Sequence, residues 1–370
     1  MARLILAGPL AWPPLLARVA GAAAAEAAQR VDLPDVAVAG EEGCFPPVVP
    51  AAGGQCDARL LAAGPEVFAR LSHFAAAIGL VAVPKHIVAD GAAAVAFLAP
   101  SGDAPPGGGW DMAAWAQRWG GIALDAADEI MGYWGHVGAG DLSWRLPMIL
   151  GRATARQLAR NAAPSRLRSD IPAEQVEVIA RRTLHAGYFL TREHVLRHPL
   201  LDGGMGEEVR REVFVATDAA LVLPYDPARD RVLLVEQFRM GPFERGDPRP
   251  FVLEPVAGRV DAGETPEETA RRECAEEAGL DLRALEHISS HYCSPGCSTE
   301  FYHCYLGLAD LPGLERGRGG LAAEHEDIRT HVLPFDAAMA LIASGEANIG
   351  PLVLMLLWLG AERGRLRAAA

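Results

Sequence analysis

The chain has 370 residues, half of them hydrophobic, and a formal net charge of −13. That length exceeds one ordinary hydrophobic core and predicts two domains. The acidic balance argues against general binding to nucleic acid or to anionic membranes, since both are driven by an excess of Lys and Arg.

The N-terminal run from Met1 to Ala28 carries a basic residue, an apolar stretch and small residues, as a secretion signal would. Pro9, Pro13 and Pro14 interrupt it and Arg18 closes it early, so we read it as the first strand and turn of a soluble domain. Short apolar runs at Leu4 to Ala7, Val36 to Val38, Leu60-Leu61, Val81 to Val83 and Ala92 to Leu98 are bounded by Gly and Pro and predict strands. Asp111 to Gly132 and Leu146 to Ala162 read as helices. Trp115, Trp119 and Met131 on the first of these are expected to pack into a core. Ala163-Pro164-Ser165 and the arginines after it mark a break, giving a first domain over 1–165, a linker over 166–175 and a second domain over 176–370.

Strand patterns then run from Val176 to Phe189, from Glu193 to Leu200, and from Glu208 to Phe214, with Asp202-Gly203-Gly204 as a turn. Ala219 to Pro224 is continuously apolar, and Asp226 to Asp230 turns the chain into Val232 to Phe238. Near the C-terminus, IGPLVLMLLWLG is too short to span a bilayer and reads as a buried helix.

Chemistry concentrates between Gly258 and Leu280, GRVDAGETPEETARRECAEEAGL. Thr265, Pro266 and Glu268 read as N-cap, first-turn proline and capping-box acid, and Gly279 is suited to end the helix. Glu273 and Glu277 then fall four apart on one face, with Glu276 beside them. Clustered carboxylates of this kind are hard oxygen ligands for Mg2+ or Mn2+, and Mg2+ normally works together with substrate phosphates. The alternative is a solvated acidic helix face. Cys274 occupies an aliphatic slot and is expected to act as a small hydrophobe.

Gly258, Glu264, Arg272, Glu273, Glu276, Glu277 and Gly279 fit the spacing G-x5-E-x7-R-E-U-x-E-E-x-G-U, where U is a bulky apolar residue. The stretch therefore resembles the Nudix box. Across roughly Val176 to Arg365 the chain is similar to the ADP-ribose pyrophosphatase branch of the Nudix hydrolases, through VRREVF at Val209, LPYDPARDRVLLVEQFR ending at Arg239, EPVAG ending at Gly258, SPGCSTE ending at Glu300 and EHEDI at Glu324. The resemblance implies an α-β-α sandwich and a metal shell of the Ala257 carbonyl with Glu273, Glu277 and Glu326, Glu276 lying alongside. It implies that Glu324 orients or deprotonates the attacking water, that Arg272 belongs to the catalytic box, and that Arg211 and Arg239 grip phosphates and ribose. Tyr188 and Phe189 fall where an aromatic stacks on adenine, and Glu300 where a ligand-loop acid sits. The family implies a homodimer whose N-terminal strands exchange.

The first domain resembles the gamma-glutamylcyclotransferase-like fold at Leu6 to Leu10 and at Leu71 to Ala75. Ala75 stands where that family has its acid, which implies a barrel-like domain without that chemistry. The fold class is thus α/β (α+β), a Nudix sandwich preceded by a smaller mixed α/β domain.

Three functions are weighed. The leading one is Mg2+-dependent cleavage of ADP-ribose to AMP and ribose 5-phosphate. The second is action on another nucleoside diphosphate sugar, such as GDP-mannose. The third is a sensor that binds ADP-ribose without cutting it, which the intact set of carboxylates disfavours. Six cysteines (Cys44, Cys56, Cys274, Cys293, Cys297, Cys304) without CxxC or zinc spacing suggest free thiols and a cytoplasmic protein.

Overall fold

The structure is a computed structural model that describes all residues except 41–42, 87–92, 101–109, 162–164, 314–315 and 321–325. The chain divides into two compact units, Met1–Pro172 and Ala173–Ala370, with Ala186–Tyr188 and Asp261–Gly263 grouping with the first.

In the first unit, β1 (Ala2–Ala7), β2 (Gln29–Val38), β3 (Val48–Ala63), β4 (Val81–His86) and β5 (Ala93–Leu98) form one sheet in the order β2-β3-β1-β5-β4. Leu4 and Leu6 point to a core shared with helices, while Ile5 and Ala7 point to the other face, as strand alternation requires. That second face is filled by strand residues such as Leu33, Val36, Cys56 and Leu98, so the sheet curls over its own side chains. It stays open: among the described residues β2 and β4 are the two ends of the strand order. The barrel-like expectation is corrected to this extent, because among the described residues β4 pairs with β5 alone.

The N-terminal apolar run also departs from expectation. After β1 it forms α1 (Pro13–Ala20), with proline at the first helical positions, where a missing N–H costs nothing. The next helices are α2 (Ala22–Ala27), α3 (Pro65–Ala77), α4 (Met112–Gly132), α5 (Ala139–Ser143) and α6 (Leu146–Ala159). Ala75 is fully buried on α3. Trp115 and Trp119 are buried in the α4 core, and Met131 packs against it.

In the second unit, β6 (Glu177–Ala186), β7 (Leu190–Arg197) and β8 (Val209–Val215) make a three-stranded sheet. A larger sheet contains β9 (Asp218–Asp226), β10 (Arg231–Phe238), β11 (Phe251–Glu254), β12 (Val256–Arg259), β13 (Ala284–Tyr292), β14 (Phe301–Leu308), β15 (Arg316–Gly319) and β16 (Ile328–Pro334). Its order is β13-β14-β9-β10-β16-β15, with β11 added to β10 and β12 to β9. The short helix α7 (Met240–Arg245) follows β10.

Side-chain alternation on β9 and β10 sorts the two layers. Ala220, Val222, Leu233 and Val235 pack against Ala270 and Cys274 of α8 (Pro266–Ala278). Leu221, Leu223, Val232 and Leu234 face α9 (Phe335–Ser344) and α10 (Gly350–Ala368), where Leu352, Met355, Leu356 and Leu359 are fully buried. Burying each such large side chain is worth about 1.5–3 kcal/mol, which fixes the sheet between two helical layers. Among the described residues no helix is long and apolar enough to cross a membrane.

Candidate active site

Helix α8 starts and stops where its sequence dictates. Thr265 accepts the Glu268 N–H while Glu268 reaches back to the Thr265 N–H, Pro266 opens the first turn, and Gly279 takes the left-handed conformation at the end. Cys274 is fully buried on the inner face. The outer face carries the acids.

Arg272 organises them. Its guanidinium donates to Glu264 at 2.9 and 3.0 Å, to Glu273 at 2.7 Å and to Glu276 at 3.0 Å. Thr269, fully buried, donates to the second oxygen of Glu264 at 2.6 Å. One cation therefore gathers three carboxylates from the loop and two turns of helix. Glu277 stands apart from it and is buried, accepting the backbone N–H of Ala257 at 3.2 Å.

That bond also orients β12. A strand residue presents its N–H and C=O on the same side, so the Ala257 carbonyl faces the acids as well. Two glycines permit the close approach. A Cβ on Gly258 would lie 1.8 Å from a Glu273 carboxylate oxygen, and a Cβ on Gly319 would lie 1.6 Å from the Glu277 carbonyl oxygen. Gly319 is the last residue of β15, which pairs with β16. β15 can lie against α8 because Gly319 carries no side chain where it meets Glu277.

Burial pushes the Glu277 carboxyl up to about 8, with the charges of Glu273 and Glu326 adding to the effect and the Ala257 N–H opposing it. Burial likewise pushes Glu273 up to about 7; Arg272 opposes this, and Glu276 and Glu326 reinforce it. Glu326 is thus within electrostatic reach of both. No three His, Cys, Asp or Glu side chains among the described residues converge on one point at metal-binding distance, since Arg272 draws Glu273 towards itself and the Ala257 N–H holds Glu277. The donor set still fits a hard divalent cation: carboxylate and carbonyl oxygens, partly buried, with negative charge in excess of its one bound guanidinium.

The other expected residues lie on several elements. Arg239 follows β10, donates through Nε to Glu254 at 2.7 Å, and its charge reaches Glu277. Glu300 accepts the Tyr302 hydroxyl at 3.3 Å, beside the turn formed by Ser294 to Cys297. Arg211 lies on β8 opposite His194, exposed, with its guanidinium on the carbonyl of Arg210; it is on the three-stranded sheet and not among the acids of α8. Tyr188 and Phe189 sit in the β6–β7 turn, both about half exposed, and the Phe189 ring packs 5.0 Å from Phe214. Glu324 lies outside the described residues. Sequence reading missed the parts played by Thr269, Gly319 and Glu254. Only Glu254 had a signal, its place in the EPVAG stretch.

The NUDIX domain profile matches residues 215–353. The ADP-ribose pyrophosphatase of Escherichia coli strain K12 is 41% identical over 184 residues, covering 50% of this chain and 87% of that protein. The chain belongs to the Nudix family. The ADP-ribose pyrophosphatase of Haemophilus influenzae is 36% identical over 196 residues, covering 52% of this chain and 90% of that one. The GDP-mannose pyrophosphatase of Pectobacterium atrosepticum is 30% identical over 181 residues, covering 49% and 92%. A solved structure described as the crystal structure of ADP compounds hydrolase overlaps 52% of this chain and 97% of that one, with a TM-score of 0.39 and 19% identity. Within this Nudix chain the cysteines are all free, with Cys293 and Cys297 exposed.

Proposed function

We propose that this Nudix enzyme cleaves the diphosphate of ADP-ribose to give AMP and ribose 5-phosphate, with Mg2+ as the metal and Mn2+ able to replace it. The observation that carries the reading is the acidic cluster built by Arg272 and by the Ala257 N–H: Glu264, Glu273, Glu276 and Glu277 on one loop and one helix face. Relatives named ADP-ribose pyrophosphatase at 36 and 41% identity support the substrate.

Glu273, Glu277 and Glu326, with the Ala257 carbonyl, would hold the metal. When bound, such ions polarise phosphoryl oxygens and lower the pKa of a bound water. Arg272 keeps Glu273 and Glu276 in place and limits their mutual repulsion. Arg239 and Arg211 grip the phosphates and ribose, each guanidinium able to clamp two oxygens. Glu324, carried by the sequence resemblance alone, takes the proton of the attacking water; help of this kind is worth ~10²–10⁴-fold. Tyr188 or Phe189 stacks on the adenine and Glu300 lines the ligand loop. We place the enzyme in the cytoplasm as a homodimer, with the first domain as a non-catalytic appendage.

A second reading has a specific observation behind it, the relatives named GDP-mannose pyrophosphatase at 30 to 35% identity. Box residues touch only the diphosphate and do not separate the two. A panel of nucleoside diphosphate sugars with product identification does: AMP release from ADP-ribose should dominate, and preferred GMP release from GDP-mannose would overturn the choice.

A further inference from the structure

Arg239 is delivered towards the acidic helix by β10, and its direction is set by a neighbour. Its Nε donates to Oε2 of Glu254 at 2.7 Å. Glu254 ends β11 with its side chain only 13% exposed, opposite Val235 in the antiparallel pairing with β10. A carboxylate that deep costs free energy unless charge and hydrogen bonds hold it. Gln237, buried and two residues before Arg239, lies against the same carboxylate, although its Nε2 lacks a well-aimed partner.

A guanidinium is a planar fork of five N–H donors. Once Nε is engaged on a fixed carboxylate, the plane is fixed, and the two terminal nitrogens face one direction as a pair. A competing partner exists: the charge of Arg239 is felt at Glu277. Without a strong hold on Nε, that attraction would draw the guanidinium towards Glu277, where it would offset that charge and lose its aim.

We propose that Glu254 is a positioning residue, holding Arg239 by Nε so that its terminal nitrogens clamp the substrate diphosphate instead of swinging towards Glu277. This rests on the reading above that Arg239 grips phosphate. The residue does not touch substrate; it acts through Arg239.

The test is a double-mutant cycle on the full chain with Glu254→Gln, which keeps size and shape, Arg239→Ala, and the two together. Turnover of ADP-ribose, calorimetric binding of ADP and thermal midpoints are measured for each. Glu254→Gln should lower kcat/KM about tenfold, as expected for loss of a charge-assisted bond that orients a clamp, with most of the change in KM. In the Arg239→Ala background the same substitution should change neither kcat/KM nor ADP affinity by more than about twofold. Glu254→Asp, if Gln unfolds, should give an intermediate loss with the same dependence on Arg239. Equal losses in both backgrounds, or an unchanged KM in Glu254→Gln, overturn the proposal. A wild type that binds ADP but does not cleave ADP-ribose removes the substrate reading while the binding cycle still judges Glu254. A wild type that neither cleaves nor binds removes both.

Discussion

Two buried glutamates, one in each unit, differ in how the fold meets their charge. Glu129 on α4 is fully buried and met on every side: Arg152 pairs with it at 2.5 Å, Arg156 at 3.1 Å, and the Tyr133 hydroxyl donates at 3.3 Å. Glu277 on α8 is as deeply placed, yet the hydrogen bond it receives comes from a single backbone N–H, and its near neighbours include Glu273 and Glu326. The first is closed, its charge matched within the fold. The second is held at a cost in free energy, as expected of a group whose partner is a ligand.

The sharpest way to break that comparison is to neutralise each acid. Glu277→Gln should lower kcat for ADP-ribose by roughly 10³-fold, on the scale of losing a principal charge-stabilising group, while circular dichroism and the metal-free thermal midpoint hold or rise. Wild-type turnover in that variant would take Glu277 out of the metal shell. Glu129→Gln should act the other way. It leaves Arg152 buried without its countercharge, and should cost about 3–5 kcal/mol of stability in denaturant titration. A loss below ~1 kcal/mol would mean that the ion pair is not the structural element described above.

Next in size are the glycines that permit the approach of β12 and β15 to α8. Gly258→Ala introduces a methyl group 1.8 Å from a Glu273 oxygen. The carboxylate end can move, so the fold should survive, but the shell should not. A fall of about 10²-fold in kcat/KM, with a rise in the metal concentration needed for half activity, is the expected outcome. Gly319→Ala meets the backbone of Glu277 instead, which cannot rotate away, and should lower the thermal midpoint as well. If both variants behaved alike in stability, side-chain and backbone clashes would not be distinguishable here.

Much of this arrangement was legible in the sequence because it is local. The cap at Thr265, the stop at Gly279, the stacking of Glu273 on Glu277 and the burial of Cys274 follow from spacing along one helix. So do β9 and β10, from the apolar run of Ala219 to Pro224 and from Val232 to Phe238 after the turn; the other strands of the large sheet were not read. What was not legible depends on how the chain folds back on itself. Arg272 bonds to Glu264, Glu273 and Glu276 at once only after the loop before α8 folds back, and Gly319 meets Glu277 only through the pairing of β15 with β16. The N-terminal run misled for a different reason. Pro13 and Pro14 read as breakers, but at the first two helical positions they start α1 rather than prevent it.

The smallest expected effect is on stability against pH, and it sharpens the contrast most directly. Burial holds Glu277 at about 8 and Glu273 at about 7 in the folded chain, against an ordinary value of 4.5. With folded values raised, the folded state binds more protons than the unfolded state between these limits, so stability falls as pH rises through that window. The contribution is fully present below about 4.5 and lost above about 8. Burial works to raise Asp226 and Asp230, but their hydrogen bonds and arginine neighbours hold them below the usual 3.8, and burial holds His73, His194 and His291 below 6.5, so none of them titrates strongly between pH 7 and 8.5. In chelator, the thermal midpoint should therefore drop by a few degrees, on the order of 1–2 kcal/mol, from pH 7 to 8.5. Glu277→Gln should flatten that slope. Mg2+ should raise the midpoint of the wild type more at pH 8.5 than at pH 7, because the cation replaces protons that the carboxylates have already released. Parallel slopes for wild type and Glu277→Gln would show that Glu277 ionises in the fold as readily as an exposed acid, and the distinction drawn between it and Glu129 would fail.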